Sequence, residues 1–236
     1  MSATARSEVP LDALLNRAGA VRAVRAGRPI AVHYGSAAAE LAVCVRAVGL
    51  VDRSELSTLS LEAPPAQLAA LMTRLVGATV APGGLVAGAG AWWCGVSADQ
   101  VMVVSDGRTA GRLIDALHAD AARHVAVHDS SRRLSAIALL GPGTLRVLSA
   151  LGVYGPSGDA RQAKPFTAGA VDGLPAWWLL PSDRQALVLV DREQAGAAWL
   201  AIEQAGRPFG TSCVGDEAAS RYALMERRRP AAPAQI

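Results

Sequence analysis

Cysteine, lysine and aromatic residues are scarce in this chain of 236 residues. Its cysteines, Cys44, Cys94 and Cys213, are an odd number at long, irregular spacings, which fits neither a disulfide framework nor a zinc site and is typical of a reducing compartment. No segment approaches the roughly 18 consecutive apolar residues of a membrane-spanning helix, and the first residues lack the apolar run of a signal peptide. We therefore expect a soluble, cytoplasmic protein without a membrane partner.

Charge is also sparse and evenly spread. Charged residues make up 18% of the chain and the formal net charge is +3. Neither disorder nor a polyanion-binding tail is indicated, and nucleic acid is not an expected partner. Lys164 is the single lysine among 23 basic residues, an imbalance that we attribute to coding bias in a GC-rich bacterium. Hydrophobic residues, at 51%, are sufficient for a substantial core.

The signatures of several common enzyme classes are missing. The sequence has no Gly-x-Ser-x-Gly nucleophile elbow and no His-Glu-x-x-His metal motif. The glycine-rich segment 83–90 lacks the Lys-Ser/Thr of a phosphate-binding loop. His118, His124 and His128 lie near acidic residues but lack the flanking signature of a zinc helix. We predict no metal site.

What the sequence does contain is an internal duplication. Ala91-Trp92-Trp93 reappears as Ala176-Trp177-Trp178, and further matches follow at a constant offset of 85. Upstream, Asp52-Arg53-Ser54 corresponds to Asp129-Ser130-Ser131 at an offset of 77. The matched positions of Asp52 and Asp129 favour a shared role in turns or helix caps over a role in chemistry.

Hydrophobic periodicity predicts a β-α-β-β-α unit in each copy. In the first copy, residues 56–61 alternate like a strand, 67–76 have the apolar spacing of a helix, and 77–90 read as a loop. The remaining predicted elements are a strand from Trp92, a strand over 101–104 and a helix over 109–122, then 133–140, 144–151, 176–180, 186–190 and 193–206 in the second copy.

The predicted fold class is therefore α+β, with two duplicated halves packed about a pseudo-two-fold axis, because pairing covers the open sheet edge and the apolar face of each unit. The halves comprise residues 30–125 and 126–225. A helical extension over residues 1–29 precedes them, and a flexible tail over 226–236 follows.

Several motifs resemble the glycine-cleavage T-protein family. Tyr34-Gly35-Ser36, Glu40, Arg46 and the run 49–54 are similar to that family's opening motif, and the segment 139–142 is similar to its Gln-Gly-Pro segment. The resemblance covers roughly residues 30 to 225. It implies a folate-binding fold whose two halves surround a central channel for tetrahydrofolate, with the family's C-terminal barrel absent here.

A second likeness is to the short gamma subunit of heterotetrameric sarcosine oxidase, a member of the same superfamily. The run 92–101 is similar to that subunit's Leu-Trp-Leu-Gly-Pro-Asp-Glu-Trp-Leu stretch, and the chain is comparably short. This likeness implies a non-catalytic accessory subunit whose partners are larger oxidase subunits.

The chain departs from the T-protein pattern where chemistry is expected. In that family an Asp pair follows Gly-Gly, and one of its carboxylates stabilises positive charge on the one-carbon nitrogen. Here Gly83-Gly84 is followed by apolar and small residues, and the Asp pair aligns to Ala87-Gly88 unless the whole hairpin is missing. Conventional aminomethyl transfer is therefore not expected.

The remaining candidates for a site are aromatic or titratable. His33 and Tyr34 are weak candidates for acid–base catalysis, with surface or packing roles as the alternative. Because neighbouring strand residues face opposite ways, one tryptophan of each doublet points inward. Tyr34, Trp93 and Trp178 are the expected ligand-pocket residues, where an inward tryptophan from each half would sandwich a planar ligand, with plain core packing as the alternative.

Two functions follow from these observations. The first is a pocket protein that binds tetrahydrofolate or another planar aromatic small molecule, with catalysis left open. The second is the accessory subunit. A pocket protein should be monodisperse and gain thermal stability with its ligand, whereas an accessory subunit should expose an apolar patch.

Overall fold

The computed structural model describes residues 10–25, 27–119, 125–153 and 164–228. Residues 1–9 of the expected N-terminal extension, His124, the side chain of His118 and the tail beyond Arg228 lie outside the described residues. Within these ranges no helix is long and apolar enough to cross a membrane.

The described residues form seven α-helices and thirteen β-strands. The helices are α1 (Leu11–Arg17), α2 (Ala37–Arg46), α3 (Pro65–Val76), α4 (Gly107–Ala119), α5 (Thr144–Ala150), α6 (Ala195–Gly206) and α7 (Asp216–Arg227). The strands are β1 (Val21–Arg25), β2 (Arg28–His33), β3 (Val48–Asp52), β4 (Ser57–Glu62), β5 (Leu85–Gly88), β6 (Ala91–Gly95), β7 (Gln100–Ser105), β8 (Ala126–Asp129), β9 (Leu134–Leu140), β10 (Phe166–Val171), β11 (Leu174–Ser182), β12 (Gln185–Asp191) and β13 (Thr211–Cys213).

The duplicated halves build two matching sheets. Strand order is β5-β6-β7-β4-β8 in one sheet and β10-β11-β12-β9-β3-β13 in the other, while β1 and β2 form a separate hairpin. The first five positions correspond one to one, so the duplication is confirmed in three dimensions. The halves also exchange a strand, because β3 of the first half pairs with β9 and β8 of the second half pairs with β4.

Paired backbone contacts show the approximate two-fold relation directly. The amide of Arg53 donates to the carbonyl of Ala136 at 2.9 Å, and the equivalent amide of Ser130 donates to the carbonyl of Thr58 at 2.9 Å. The tryptophan doublets have the same register, because Trp93 lies opposite Val103 and Trp178 lies opposite Val188. The α+β fold class with paired halves is confirmed.

One part of the predicted unit is wrong. Residues 77–90 are not all loop, because they contain β5, and the second half contains the equivalent strand β10. Each unit is therefore β-α-β-β-β-α. The missed strands, Leu-Val-Ala-Gly and Phe-Thr-Ala-Gly-Ala-Val, are rich in alanine and glycine, which have low intrinsic preference for strands. Pairing with β6 and β11 holds them in place.

In the described ranges, three apolar clusters make up the core. One lies between the five-stranded sheet and helices α3 and α4, and one packs α5 and α6 against the six-stranded sheet. The third fills the space between the two sheets and extends to α2 and α7. Its buried members include Cys94, Val104, Phe166, Leu179 and Leu189. The layer between the two sheets is thus occupied by packed side chains.

Candidate functional site

A cavity near the pseudo-two-fold axis lies at one end of the sheets. It has a volume of about 590 Å³ and lies where the start of α1, the β1–β2 hairpin, the β8–β9 turn and the segment after β12 meet. Its wall combines apolar Pro10, Leu11 and Pro29 with the hydroxyl groups of Ser54 and Ser135. The lining also includes three arginines, namely Arg28, Arg132 and Arg192.

Two matched turns bring the strands to this point. The Oδ1 atom of Asp52 accepts the amide of Ser54 at 3.0 Å, and Oδ1 of Asp129 accepts the amide of Ser131 at 2.8 Å. These are Asx turns, in which a short side chain satisfies the backbone two residues later. The predicted structural role of the two aspartates is confirmed.

Arg28 joins the two turns. Its Nη1 atom donates to the carbonyls of Ser54 at 2.6 Å and Leu56 at 3.3 Å, and its Nη2 atom donates to the carbonyl of Ser131 at 2.8 Å. The guanidinium therefore crosses from the first half to the second. Because its partners are backbone carbonyls, its charge is not neutralised by them.

Arg192 approaches the second turn from the other side. Its Nε atom donates to the carbonyl of Arg132 at 2.9 Å, and its Nη2 atom donates to Ser131 at 3.2 Å and to Leu134 at 2.9 Å. Partial burial lowers the pKa of Arg192, and the nearby Arg28 charge lowers it further. The two guanidinium groups thus share the Ser131 carbonyl and repel each other.

Sequence reasoning missed both arginines, although one signal was present. At the repeat offset of 85, Arg192 stands where the first half has Gly107. A large cation in place of glycine, directly after the matched aspartates Asp106 and Asp191, marks a departure from internal symmetry. For Arg28 no local pattern exists, because its partner Ser131 lies 103 residues away.

His33 ends β2 and Tyr34 directly follows it, and the wall of the cavity is built from other residues. The Nδ1 atom of His33 accepts the amide of Gly35 at 3.2 Å. Burial raises the pKa of the Tyr34 phenol, with smaller contributions from nearby acidic groups, and its hydroxyl has no hydrogen-bond partner among the residues that the structure describes. Their proposed role in acid–base chemistry stays a prediction.

Glu40, the glutamate of the opening motif, accepts two backbone hydrogen bonds. The Oε1 atom of Glu40 accepts the amide of Tyr34 at 2.7 Å, and its Oε2 atom accepts the amide of Gly215 at 2.8 Å. Gly215 is the residue before α7, so the carboxylate also lies at the positive end of that helix dipole. Glu40 therefore clamps β2 to α7.

The tryptophans expected in the pocket lie apart, in different clusters. Trp93 is 1% exposed beneath α3 and α4, and Trp178 is fully buried in the cluster with α5 and α6. Their neighbours Trp92 and Trp177 are half-buried and face the layer between the sheets. Trp177 stacks on Phe166 with ring centroids 5.1 Å apart. The structure thus brings neither Trp93 nor Trp178 together with Tyr34 at the cavity.

Ala87 and Gly88, one of the two alternatives for the position of the family's Asp pair, carry no acidic group. Ala87 is exposed at the end of β5, and a side chain at Gly88 would overlap Val76. The acidic residues on the cavity wall are Asp12, which pairs with Arg22 at 2.5 Å, and Glu193. Among the described residues, no group of three or more potential metal ligands comes together.

Two solved structures share this architecture. Glycine cleavage system aminomethyltransferase T from Bartonella henselae matches 92% of this chain with a TM-score of 0.74 at 18% identity, and this chain spans only 61% of that protein. A chain of heterotetrameric sarcosine oxidase from Corynebacterium sp. U-96, in complex with pyrrole 2-carboxylate, matches 75% of this chain and 93% of its own length, with a TM-score of 0.55 at 19% identity. The protein therefore has a T-protein-like fold, as its motifs predicted.

Sequence comparison alone does not reach this conclusion. No protein-family model matches the sequence, and no curated protein is a significant match. The fold likeness rests on the three-dimensional arrangement, which is retained at identities below 20%.

Proposed function

We propose that this protein binds a reduced folate or another planar small molecule in the cavity at the end of the pseudo-two-fold axis. The cavity itself is the observation that supports the proposal. Its volume of about 590 Å³ lies within the roughly 300–1,000 Å³ range of small-molecule sites. Its position at the junction of two related halves is also typical of ligand sites in proteins.

The chemistry of the wall suits a ring that carries polar groups. Leu11 and Pro29 offer apolar surface, and the hydroxyls of Ser54 and Ser135 offer hydrogen bonds. Guanidinium groups such as that of Arg192 stack on planar rings as well as binding anions. A ligand that fits this wall has a flat ring system and at least one negative charge.

Conventional aminomethyl transfer is not part of this proposal. The fold neighbour named as an aminomethyltransferase is longer than this chain, and residues 87 and 88 provide no carboxylate where the family's Asp pair aligns. If the protein is an enzyme, catalysis has to depend on enclosure of the substrate and on the polar groups of the cavity.

The test is direct binding to the isolated protein. Calorimetric titration with tetrahydrofolate, 5-formyltetrahydrofolate and a tetrahydropterin without the glutamate tail should show saturable one-to-one binding of at least one compound. At a hundredfold excess over Kd, the ligand should stabilise the fold by about 2.7 kcal/mol. Absence of binding by all of these compounds and by unrelated aromatic compounds would contradict the proposal.

A matched pair of variants places the ligand. Pro29→Trp adds a large ring at an exposed strand proline on the cavity wall and should abolish binding by filling space. Pro175→Trp makes the same change at an exposed strand proline in β11, away from the cavity, and should leave Kd unchanged. Equal effects of the two substitutions on Kd would indicate that the ligand does not bind in this cavity.

The second candidate function is that of an accessory subunit, and a different surface favours it. Val45 on α2 is 41% exposed, and Leu224 and Met225 on α7 are 54% and 49% exposed. Val45 and Met225 line one shallow groove of about 270 Å³. The sarcosine oxidase neighbour comes from a heterotetramer and is matched over 93% of its chain.

Sizing of the isolated chain separates the two candidates. An accessory subunit should self-associate or aggregate when alone, and Leu224→Glu with Met225→Glu should suppress this by adding charge to the apolar patch. A monodisperse monomer that the double substitution does not alter would count against the accessory role.

A further inference from the structure

We infer that Arg28 and Arg192 form an oxyanion-binding subsite in the cavity, which takes a carboxylate or phosphate group of the ligand. This inference rests on the proposed use of the cavity for a small molecule and names the chemical group that is recognised there. Its support is the number of free donors, the balance of charge and the way in which the two guanidinium groups are held.

Among the residues that the structure describes, each guanidinium keeps donors without a protein acceptor. An arginine side chain has five N–H donors. Arg28 uses two on Nη1 and one on Nη2, which leaves one N–H on Nη2 and the N–H on Nε. Arg192 uses Nε and both donors on Nη2, which leaves the two N–H groups on Nη1. In the described part of the chain, four N–H donors on these two cavity-lining cations therefore have no acceptor.

The charges on the cavity favour an anion. Arg28, Arg132 and Arg192 line the cavity together with Asp12 and Glu193. Asp12 already pairs with Arg22, which adds a further positive charge beside the wall. No carboxylate in the described part of the chain lies within ion-pair distance of Arg28 or Arg192. The lining residues, three arginines and two carboxylates, thus carry a balance of one positive charge.

The two cations are held in place before a ligand arrives. Carbonyl oxygens of the β3–β4 and β8–β9 turns fix both guanidinium planes, and both groups donate to the carbonyl of Ser131. Holding like charges this close is unfavourable unless an anion lies between them. A bound oxyanion would offset that repulsion, and little side-chain entropy would be lost because the arginines are already ordered. The forked guanidinium suits bidentate contact with carboxylate or phosphate.

Simple anions test this subsite without any assumption about the rest of the ligand. Titration of the full chain with glutarate and, separately, with inorganic phosphate should show saturable binding that weakens as the salt concentration rises. Arg192→Gln should raise Kd at least tenfold, and Arg192→Lys should recover only part of the affinity because lysine lacks the fork.

A second pair of variants keeps the test decisive if Arg192→Gln fails to fold. Arg132 and Arg133 are adjacent exposed residues of the same turn, but only Arg132 lines the cavity. Arg132→Gln should weaken anion binding about two- to fivefold, while Arg133→Gln should leave it within error. Equal effects of these two substitutions, or no saturable binding of either anion to the unsubstituted protein, would overturn the inference.

The ligands used for the proposed function distinguish the two conclusions. If glutarate or phosphate binds in an Arg192-dependent manner and no folate or pterin binds, the subsite stands and the folate proposal fails. If 5-formyltetrahydrofolate and a tetrahydropterin without the glutamate tail bind equally, and Arg192→Gln affects neither, the cavity binds a planar ring and the oxyanion subsite is refuted.

Discussion

The Glu40 clamp allows a sharp test of how the first half is held to α7. In Glu40→Ala, the amides of Tyr34 and Gly215 both lose their acceptor. An unsatisfied buried amide costs about 1–3 kcal/mol. Because the Tyr34 amide is only partly buried, we expect a total loss of about 2–4 kcal/mol, which at roughly 3 °C per kcal/mol lowers Tm by about 6–12 °C.

Two further substitutions identify the cause of that loss. Glu40→Gln keeps one acceptor oxygen and should lose about half as much stability. Glu217, an exposed acidic residue in the first turn of α7, is the matched control, because Glu217→Ala removes only its interaction with the helix dipole and should cost less than about 1 kcal/mol.

Urea denaturation and calorimetry of the three variants measure these differences. The reasoning fails if the free energy of unfolding of Glu40→Ala lies within about 0.5 kcal/mol of that of the unsubstituted protein, since this difference is smaller than the cost of one unsatisfied buried amide. It also fails if Glu217→Ala loses as much stability as Glu40→Ala.

The remaining predictions concern buried acids, thiols and tight backbone contacts. Burial raises the pKa of Asp52 above its ordinary 3.8, so the folded state binds the carboxyl proton more tightly than the unfolded state. The free energy of unfolding therefore falls as the pH rises from the ordinary pKa to the raised pKa of the folded state. Asp52→Asn, which keeps a turn acceptor, should therefore stabilise the protein at pH 7 but not at pH 3.5 in urea denaturation, whereas Asn at exposed Asp129 should have little effect at either pH. Burial raises the pKa of Cys213 to about 11 from 9.0, so at pH 7.5 iodoacetamide should modify it about a hundredfold more slowly than an ordinary thiol, and labelling of the native protein at the ordinary rate would be inconsistent with this. Gly95→Ala should cost at least about 2 kcal/mol because its Cβ would overlap a backbone carbonyl, whereas Gly111→Ala, inside α4 with open space around it, should stabilise by about 0.5–1 kcal/mol; thermal denaturation that ranks them in the opposite order would refute this.

Local features of the fold were predictable from the sequence because their causes are local. The turn roles of Asp52 and Asp129 depend on a hydrogen bond two residues away, and the helix at α3 follows from apolar spacing after Pro64-Pro65. The repeat itself was visible as matched tryptophan doublets. These signals also predicted the α+β class, while the T-protein-like fold was predicted by the resemblance of the motifs at 34–54 and 139–142 to that family.

Other features depend on pairing between distant segments and left no local signal. The exchange of β3 and β8 between the halves depends on their pairing with β9 and β4, which are distant in sequence. The strands β5 and β10 have compositions that do not favour strands on their own. Alternation predicts that one tryptophan of each doublet points inward, but both faces of these sheets are covered by apolar clusters. Only the packed structure shows that Trp93 lies beneath helices while Trp92 faces the other sheet.

The strand exchange explains why a cavity forms at this end of the molecule. Because β3 and β8 each cross to the opposite sheet, the turns that follow them meet at the pseudo-two-fold axis, and their backbone carbonyls point toward a common region. Arg28 comes from a hairpin outside the repeat, and Arg192 replaces the equivalent Gly107, so both cations arise where the chain departs from its own symmetry. The duplicated elements thus form the scaffold of the cavity, and the residues that differ between the two copies or lie outside them provide its positive charge.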